Sequence, residues 1–246
     1  MKIVKRVLLG LLIATVILTA GFIFWASATA QPTDVASQAL QSDAQVVVTQ
    51  QTGFVTFSPA GVSPTTGFIF YPGGRVDYRA YAPVLHKIAA NGYFVAVVEV
   101  NLNLAFFEVE AADRVIAKYP EITHWAVGGH SLGGVAASLY AAKHQDVIKG
   151  LAFWASYPSD DSLKASAIHV ISIYGTNDGL ATSEKIEASK ALLPPQTQYV
   201  PIEGGNHGQF GAYGVQDGDN PASVSAEEQW AQTADAISKF LESLTK

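Results

Sequence analysis

Cysteine is missing from all 246 residues of the chain. Disulfides, thiolate nucleophiles and cysteine-ligated metals are thereby excluded. Acidic residues are missing from the first 30 positions, and all 21 of them come later. Basic runs are missing from everything beyond that point, where 12 Lys and Arg stand against the 21 acidic groups. An acidic body of this kind does not suit nucleic acid as a partner, nor tight adhesion of the body itself to an anionic membrane surface. No internal repeat and no second domain boundary stand out. With 49% hydrophobic residues, the chain is long enough for one domain with a well-buried core.

The N-terminus holds a long uncharged run. Lys2, Lys5 and Arg6 precede Val7–Trp25, 19 residues without a charge. As a helix this run is about 28 Å long, close to the thickness of a bilayer core. The basic flank stays in the cytoplasm and sends the body outside. Ala26-Ser27-Ala28 and Ala28-Thr29-Ala30 also offer A-x-A cleavage sites. Signal h-regions usually span about 7–15 residues, so the greater length here favours an uncleaved signal-anchor over a cleaved signal peptide. Residues 1–30 are therefore read as a signal-anchor or signal peptide. Residues 31–45, rich in Gln, Ser, Ala, Thr and Asp, are read as a flexible tether, and residues 46–246 as the folded domain. The domain is expected to be membrane-anchored outside the cytoplasm, or secreted if the leader is cleaved.

Within that domain, Val46–Val48 and Phe54–Phe57 predict a hairpin around a turn near Gly53. From Thr66 onward the pattern alternates between strand and helix. Strands are predicted at Gly67–Tyr71, Tyr93–Val98, His124–Val127, Ile148–Trp154, Ile168–Tyr174 and Gln198–Ile202. Helices are predicted at Tyr81–Asn91, Phe107–Tyr119, Leu132–His144, Ser183–Leu193 and Ser225–Leu244, the last opened by a Ser225/Glu228 capping box. Such alternation implies βαβ units, an α/β fold and a mostly parallel central sheet with helices on both faces. In sheets of this kind the functional loops lie at the carboxyl ends of the strands.

One such loop carries Gly128-Gly129-His130-Ser131-Leu132-Gly133-Gly134. A serine on a sharp strand-to-helix turn is held with its hydroxyl exposed, and the flanking glycines relieve the crowding. Ser131 is thus a candidate nucleophile. A serine hydroxyl needs a base, and the base needs a carboxylate to set its tautomer. Of the six histidines, His86 lies on a helix, while His124, His144 and His169 lie at the wrong edge of the sheet. His130 adjoins the serine but points elsewhere from the tight turn, which fits packing. His207 follows a strand's carboxyl end in Gly204-Gly205-Asn206-His207-Gly208. Asp178, in Gly175-Thr176-Asn177-Asp178-Gly179, sits likewise, with Asp160 and Asp161 as rival acids. Acyl transfer also needs donors for the developing oxyanion. The backbone N–H of Leu132 is one candidate. The turn Pro72-Gly73-Gly74-Arg75 offers the other, Gly74 being favoured and Arg75 the alternative.

Tyr71-Pro72-Gly73-Gly74, Gly129-His130-Ser131-Leu132-Gly133, Gly175-Thr176-Asn177-Asp178-Gly179 and Gly205-Asn206-His207 follow one another in order. This set resembles the α/β-hydrolase superfamily, in particular its small branch similar to the alpha/beta hydrolase fold-5 and dienelactone hydrolase groups. The resemblance covers about Thr66 to the C-terminus. It implies an α/β-hydrolase fold and a hydrolase with a Ser131–His207–Asp178 triad that needs no cofactor and no metal. Two departures stand out. Dienelactone hydrolases use a cysteine nucleophile, which this chain lacks, and Pro72 stands where many esterases of the superfamily have His. Only Ala155–Ala167 separates two strands between which many members insert a lid, so no substantial lid is expected. Gln209–Val224 is read as a loop walling the site beside His207. The expected activity is hydrolysis of small or polymer-borne carboxylic esters through an acyl-enzyme. A cell-envelope acyltransferase and a non-catalytic surface binding module on the same scaffold are the alternatives.

Overall fold

The computed structural model describes residues 2–246. Eight strands form one sheet: β1 (Val46–Gln51), β2 (Phe54–Pro59), β3 (Thr66–Tyr71), β4 (Phe94–Val98), β5 (His124–His130), β6 (Ile148–Trp154), β7 (His169–Gly175) and β8 (Gln198–Ile202). Their order across the sheet is β1-β2-β4-β3-β5-β6-β7-β8. The β1/β2 and β2/β4 pairs are antiparallel, and every pair from β4 to β8 is parallel. The antiparallel edge is the predicted hairpin, turned at Gly53 with a φ of 85°.

Among the described residues seven α-helices accompany the sheet: α1 (Lys2–Ser27), α2 (Asp34–Ala39), α3 (Ala82–Ala90), α4 (Asp113–Lys118), α5 (Leu132–Lys143), α6 (Ser183–Ser189) and α7 (Ala226–Ser243). The central strands read as continuous apolar runs because both of their faces are covered. Successive side chains of β3 go to opposite sides. Phe68 and Phe70 join a core with Leu85 and Ile88 of α3 and Ile237 and Phe240 of α7. Ile69 and Tyr71 join a second core with Val115 of α4 and Ala136, Ala137 and Tyr140 of α5. The expected two-faced α/β architecture is therefore present. The Ala155–Ala167 connection contains no helix or strand, and no large lid covers the sheet.

Two local expectations fail. The Phe107–Tyr119 helix gives way to short 3₁₀ turns at Ala105–Phe107 and Val109–Ala112, and only Asp113–Lys118 is α-helical. The buried Tyr71 hydroxyl intervenes there: it donates to the Val109 carbonyl at 2.5 Å and accepts from the Ala112 N–H at 3.1 Å. A strand side chain thus takes backbone groups that helical bonds would otherwise use. The second failure is the flexible tether. Residues 31–45 are docked on the domain instead. Ala36 of α2 is fully buried, the Thr33 N–H donates to the Ala212 carbonyl at 2.8 Å, and Asp43 Oδ1 accepts from the Gln45 and Val46 N–H groups. Polar composition concealed a single buried alanine and a set of backbone bonds.

Helix α1 contains the span Val4–Ser27, 24 residues long and with none of its apolar window buried. Among the described residues it is the one helix long and apolar enough to cross a membrane. Its C-terminal end is fastened to the domain. The Arg75 guanidinium lies 4.6 Å from the Trp25 ring centroid and donates to the Ala28 carbonyl at 2.8 Å. Ala30 then bridges to Val76 through backbone bonds to Arg75 and Asp77.

Candidate active site

The nucleophile candidate sits where β5 becomes α5. Ser131 has φ 50° and ψ −120°, a conformation that L-residues avoid and that costs of order 1–3 kcal/mol. Surrounding bonds hold it there. Its N–H donates to the Trp154 carbonyl at 3.0 Å, and its carbonyl accepts from Ser156 Oγ at 2.6 Å and from the Gly134 N–H at 3.1 Å. The glycines make the turn possible through close approach. A Cβ on Gly133 would collide with the Tyr71 and Pro72 carbonyl oxygens, and one on Gly129 with the backbone of Gly133. The strand therefore runs on into the turn, three residues beyond the predicted end at Val127.

The other two residues come from the next strand ends. Asp178 follows β7 and His207 follows β8. His207 Nδ1 and Asp178 Oδ2 are 2.9 Å apart, with 4% and 0% of their side chains exposed. The second carboxylate oxygen, Oδ1, accepts from the Leu180 and Ala181 N–H groups, both at 2.7 Å. One oxygen is thus fixed by backbone while the other faces the imidazole. The rival acids, Asp160 and Asp161, are exposed, and Asp160 is occupied with the N–H of Ser162. His124 and His169 open β5 and β7 at the opposite sheet edge. His144 pairs with Glu110 and His86 lies 3.5 Å from Asp43.

Ser131 and His207 line one cavity of about 230 Å³, with Leu132, Val135, Tyr157 and Leu180 among its walls. No hydrogen bond joins the serine hydroxyl to His207 among the described residues, and in free enzymes such contacts often tighten only around substrate. A larger cavity of about 560 Å³ lies behind the Gln209–Val224 loop, against Thr33, Val35 and Trp230, and includes neither Ser131 nor His207.

Backbone accounting separates the oxyanion candidates. The Gly73 N–H donates to Tyr81 Oη at 3.0 Å, and the Arg75 N–H donates to the Asn103 carbonyl at 2.8 Å. Gly74 lies between them, against the Leu132 side chain, and its N–H has no partner among the described residues. Leu132 is the first residue of α5, where helical geometry leaves the N–H free. Arg75, the alternative, is therefore already engaged.

Three supporting side chains, Asp219, Gln229 and Tyr81, escaped the sequence reading. Asp219 Oδ1 accepts from the Gly179 N–H at 3.0 Å, while its Oδ2 accepts from the Gly208 N–H at 2.8 Å. It thus joins the loop of the acid to the loop of the base. Gln229 of α7 is fully buried and clasps Asn206, accepting from its N–H at 3.1 Å and donating to its carbonyl at 2.8 Å. Tyr81 and His130 form a third support. With the Gly73 N–H on its oxygen, the Tyr81 hydroxyl donates to His130 Nδ1 at 2.9 Å. Burial raises the Tyr81 phenol well above its usual range. Burial first, and the neighbouring His207 second, hold His130 well below the usual imidazole range, so it stays neutral. The His130 and His207 rings are 4.5 Å apart. The packing role expected of His130 is the one seen. The nearest sequence signal for Asp219 was the Asp217-Gly218-Asp219-Asn220 turn, whose spacing does not fit a calcium loop.

A separate group, Glu110, Asp113 and His144, brings its ligand atoms within 4.8 Å of one another. Glu110 already binds Lys143 at 2.8 Å, and Asp113 accepts from the Tyr140 hydroxyl at 2.6 Å.

Comparison with known proteins bears on the fold that carries these residues. The chain matches the model of the alpha/beta hydrolase family over residues 67–231 and belongs to that family. No curated protein matches it. Among solved structures it is similar to Est1E from Butyrivibrio proteoclasticus, with 14% identity and a TM-score of 0.60, covering 82% of this chain and 99% of that one. It is similar to a thermophilic esterase from Thermogutta terrifontis, with 14% identity and a TM-score of 0.60, over 82% and 100% of the two chains. An esterase domain from a Rhodothermus marinus protein matches at 13% identity and a TM-score of 0.60, over 80% and 96%. At such identities the likeness is one of fold.

Proposed function

We propose that the protein is a membrane-anchored serine hydrolase that cleaves carboxylic esters outside the cytoplasm. The observation that carries this reading is the buried His207–Asp178 pair opening into the same cavity as the strained Ser131. Asp178 holds His207 with Nδ1–H toward the carboxylate, which leaves Nε2 as the proton acceptor. Ser131 Oγ attacks the ester carbonyl carbon as His207 takes its proton. The N–H groups of Leu132 and Gly74 receive the oxyanion. The tetrahedral intermediate collapses, His207 hands the proton to the leaving alkoxide, and the alcohol departs. Water then attacks the acyl-enzyme with His207 again as base, and the acid is released.

The narrow, mostly apolar cavity suits a small acyl group. The similar structures from Thermogutta terrifontis and Rhodothermus marinus are esterases, which favours ester over amide bonds. The basic flank and apolar span of α1 support a domain on the outer face.

Ser131→Ala is expected to lower kcat for p-nitrophenyl acetate by about 10⁴-fold or more and to abolish fluorophosphonate labelling, with the fold intact by circular dichroism. Hydrolysis that survives in this variant would remove Ser131 from the role.

A further inference from the structure

Two large aromatic side chains are exposed beside the anchor helix. Phe106 and Phe107 are 48% and 56% exposed. Phe107 meets Phe22 of α1 edge to face, ring centroids 6.1 Å apart. Phe22, Phe24 and Trp25 are themselves exposed. The apolar surface of the spanning helix thus continues onto the catalytic domain without a break.

The depth of this contact follows from helix geometry. With Arg6 at the inner boundary of the bilayer core, Phe22 stands about 24 Å along an untilted helix. The core is about 30 Å thick, so Phe22 lies inside its outer boundary, and Phe107 lies beside it. The domain cannot swing away freely. Arg75 stacks on Trp25 and binds the Ala28 carbonyl, and the Ala30 N–H donates to the Arg75 carbonyl at 2.8 Å. Trp25, about one turn further out than Phe22, matches the aromatic belt that membrane proteins place at the interface.

The same short segment touches the candidate site. The Asn103 carbonyl accepts the Arg75 N–H, and the Leu104 side chain lies against Gly74. Phe107 is three residues along the chain from Leu104.

We propose that Phe106 and Phe107 are seated in the outer leaflet beside α1, and that the site draws its acyl ester from an amphiphile held in that leaflet. The seat rests on the anchor reading of α1. The substrate source rests in addition on the esterase reading above. A domain held at this depth presents its oxyanion turn to the lipid–water boundary, where the ester groups of amphiphiles lie. The occupant of the patch is the bilayer itself, because whatever covers Phe22 also covers Phe107.

The chain's lack of cysteine allows a direct test. Single-cysteine variants Phe106→Cys, Phe107→Cys and, as a control on the β2–β3 loop, Val62→Cys are labelled with a nitroxide in the full chain, reconstituted in phosphatidylcholine and phosphatidylglycerol vesicles. Power saturation then compares access by oxygen with access by a water-soluble nickel chelate. The expected result is preferential oxygen access at 106 and 107 and nickel access at 62. Nickel access at all three positions overturns the seat.

A second arm uses Phe106→Ser/Phe107→Ser and two substrates, soluble p-nitrophenyl acetate and hexadecyl acetate, a small-acyl ester of a long-chain alcohol, dissolved in the vesicles. The expected result is a several-fold lower rate on the vesicle ester, with the soluble ester unaffected. Equal rates of wild type and variant on the vesicle ester overturn the proposed substrate source. Membrane-seated labels in the cysteine variants, together with a wild-type protein that cleaves neither ester, would support the seat and overturn the esterase reading.

Discussion

The nucleophile turn and the histidine loop reach the same cavity by opposite means. Ser131 is held by covalent geometry and by backbone packed against backbone. Its turn lies within seven consecutive residues, glycines stand two positions to either side of it, and its bonds run to the Trp154 carbonyl and the Ser156 hydroxyl. His207 lies in a loop whose shape comes from distant side chains, Asp219 and Gln229. A turn built by sterics tolerates almost no added atom. A loop built by hydrogen bonds tolerates added atoms but loses its aim when one acceptor changes.

The largest effect expected from this contrast belongs to Gly133→Ala. The new methyl meets two backbone carbonyls that have no rotamer to escape into. Overpacking of this kind costs typically about 1–3 kcal/mol, and the displaced serine is expected to lose at least about 100-fold in kcat/KM. A variant with the wild-type melting temperature and full turnover would show that sterics do not set the turn.

Asp219→Asn is expected to act more mildly and differently. Asp219 now receives three N–H groups, from Gly179, Asn220 and Gly208. The amide retains one acceptor oxygen but puts a donor toward those on one side. The base loop then drifts from the acid loop, and kcat falls roughly 10-fold or more while KM and the melting temperature move little. An unchanged kcat would break the comparison by showing that the loop keeps its shape without this bridge.

The smallest effect concerns His130, which links the two regions through its contact with the His207 ring. Its imidazole is held well below the ordinary range by burial, so the folded state binds fewer protons than the unfolded state once pH falls below about 6.5. The stabilisation it contributes is present above that pH and is lost as pH falls from there toward the lowered folded-state value, by at most about 1.4 kcal/mol per unit for one proton. Chemical denaturation of wild type and His130→Gln between pH 5 and 7.5 is expected to show the shallower acid loss in the variant. Parallel curves would mean that His130 is not buried in its neutral form.

Ser131, Asp178 and His207 were readable in the chain because each stands in a turn just past an apolar run. Runs and turns are local properties. Asp219 was not readable, since its partners Gly208 and Gly179 lie 11 and 40 positions away and its own neighbourhood resembles any Asp-Gly turn. Composition misled at residues 31–45, where a polar stretch hides Ala36, whose burial against α3 exists only once the domain has folded. Periodicity misled at Phe107–Tyr119, where the hydroxyl of Tyr71, a residue on another strand, breaks the helix.

The sequence by itself determined the order of strands and helices, the apolar span of α1 and the steric character of the Ser131 turn, because each arises among residues within a few positions of one another. Tertiary structure alone decided which acid faces His207, which N–H groups stay free beside the serine, and where Phe106 and Phe107 lie relative to the anchor. Those outcomes depend on strands that pair out of chain order, and on hydrogen bonds and packing contacts that form only when distant segments meet.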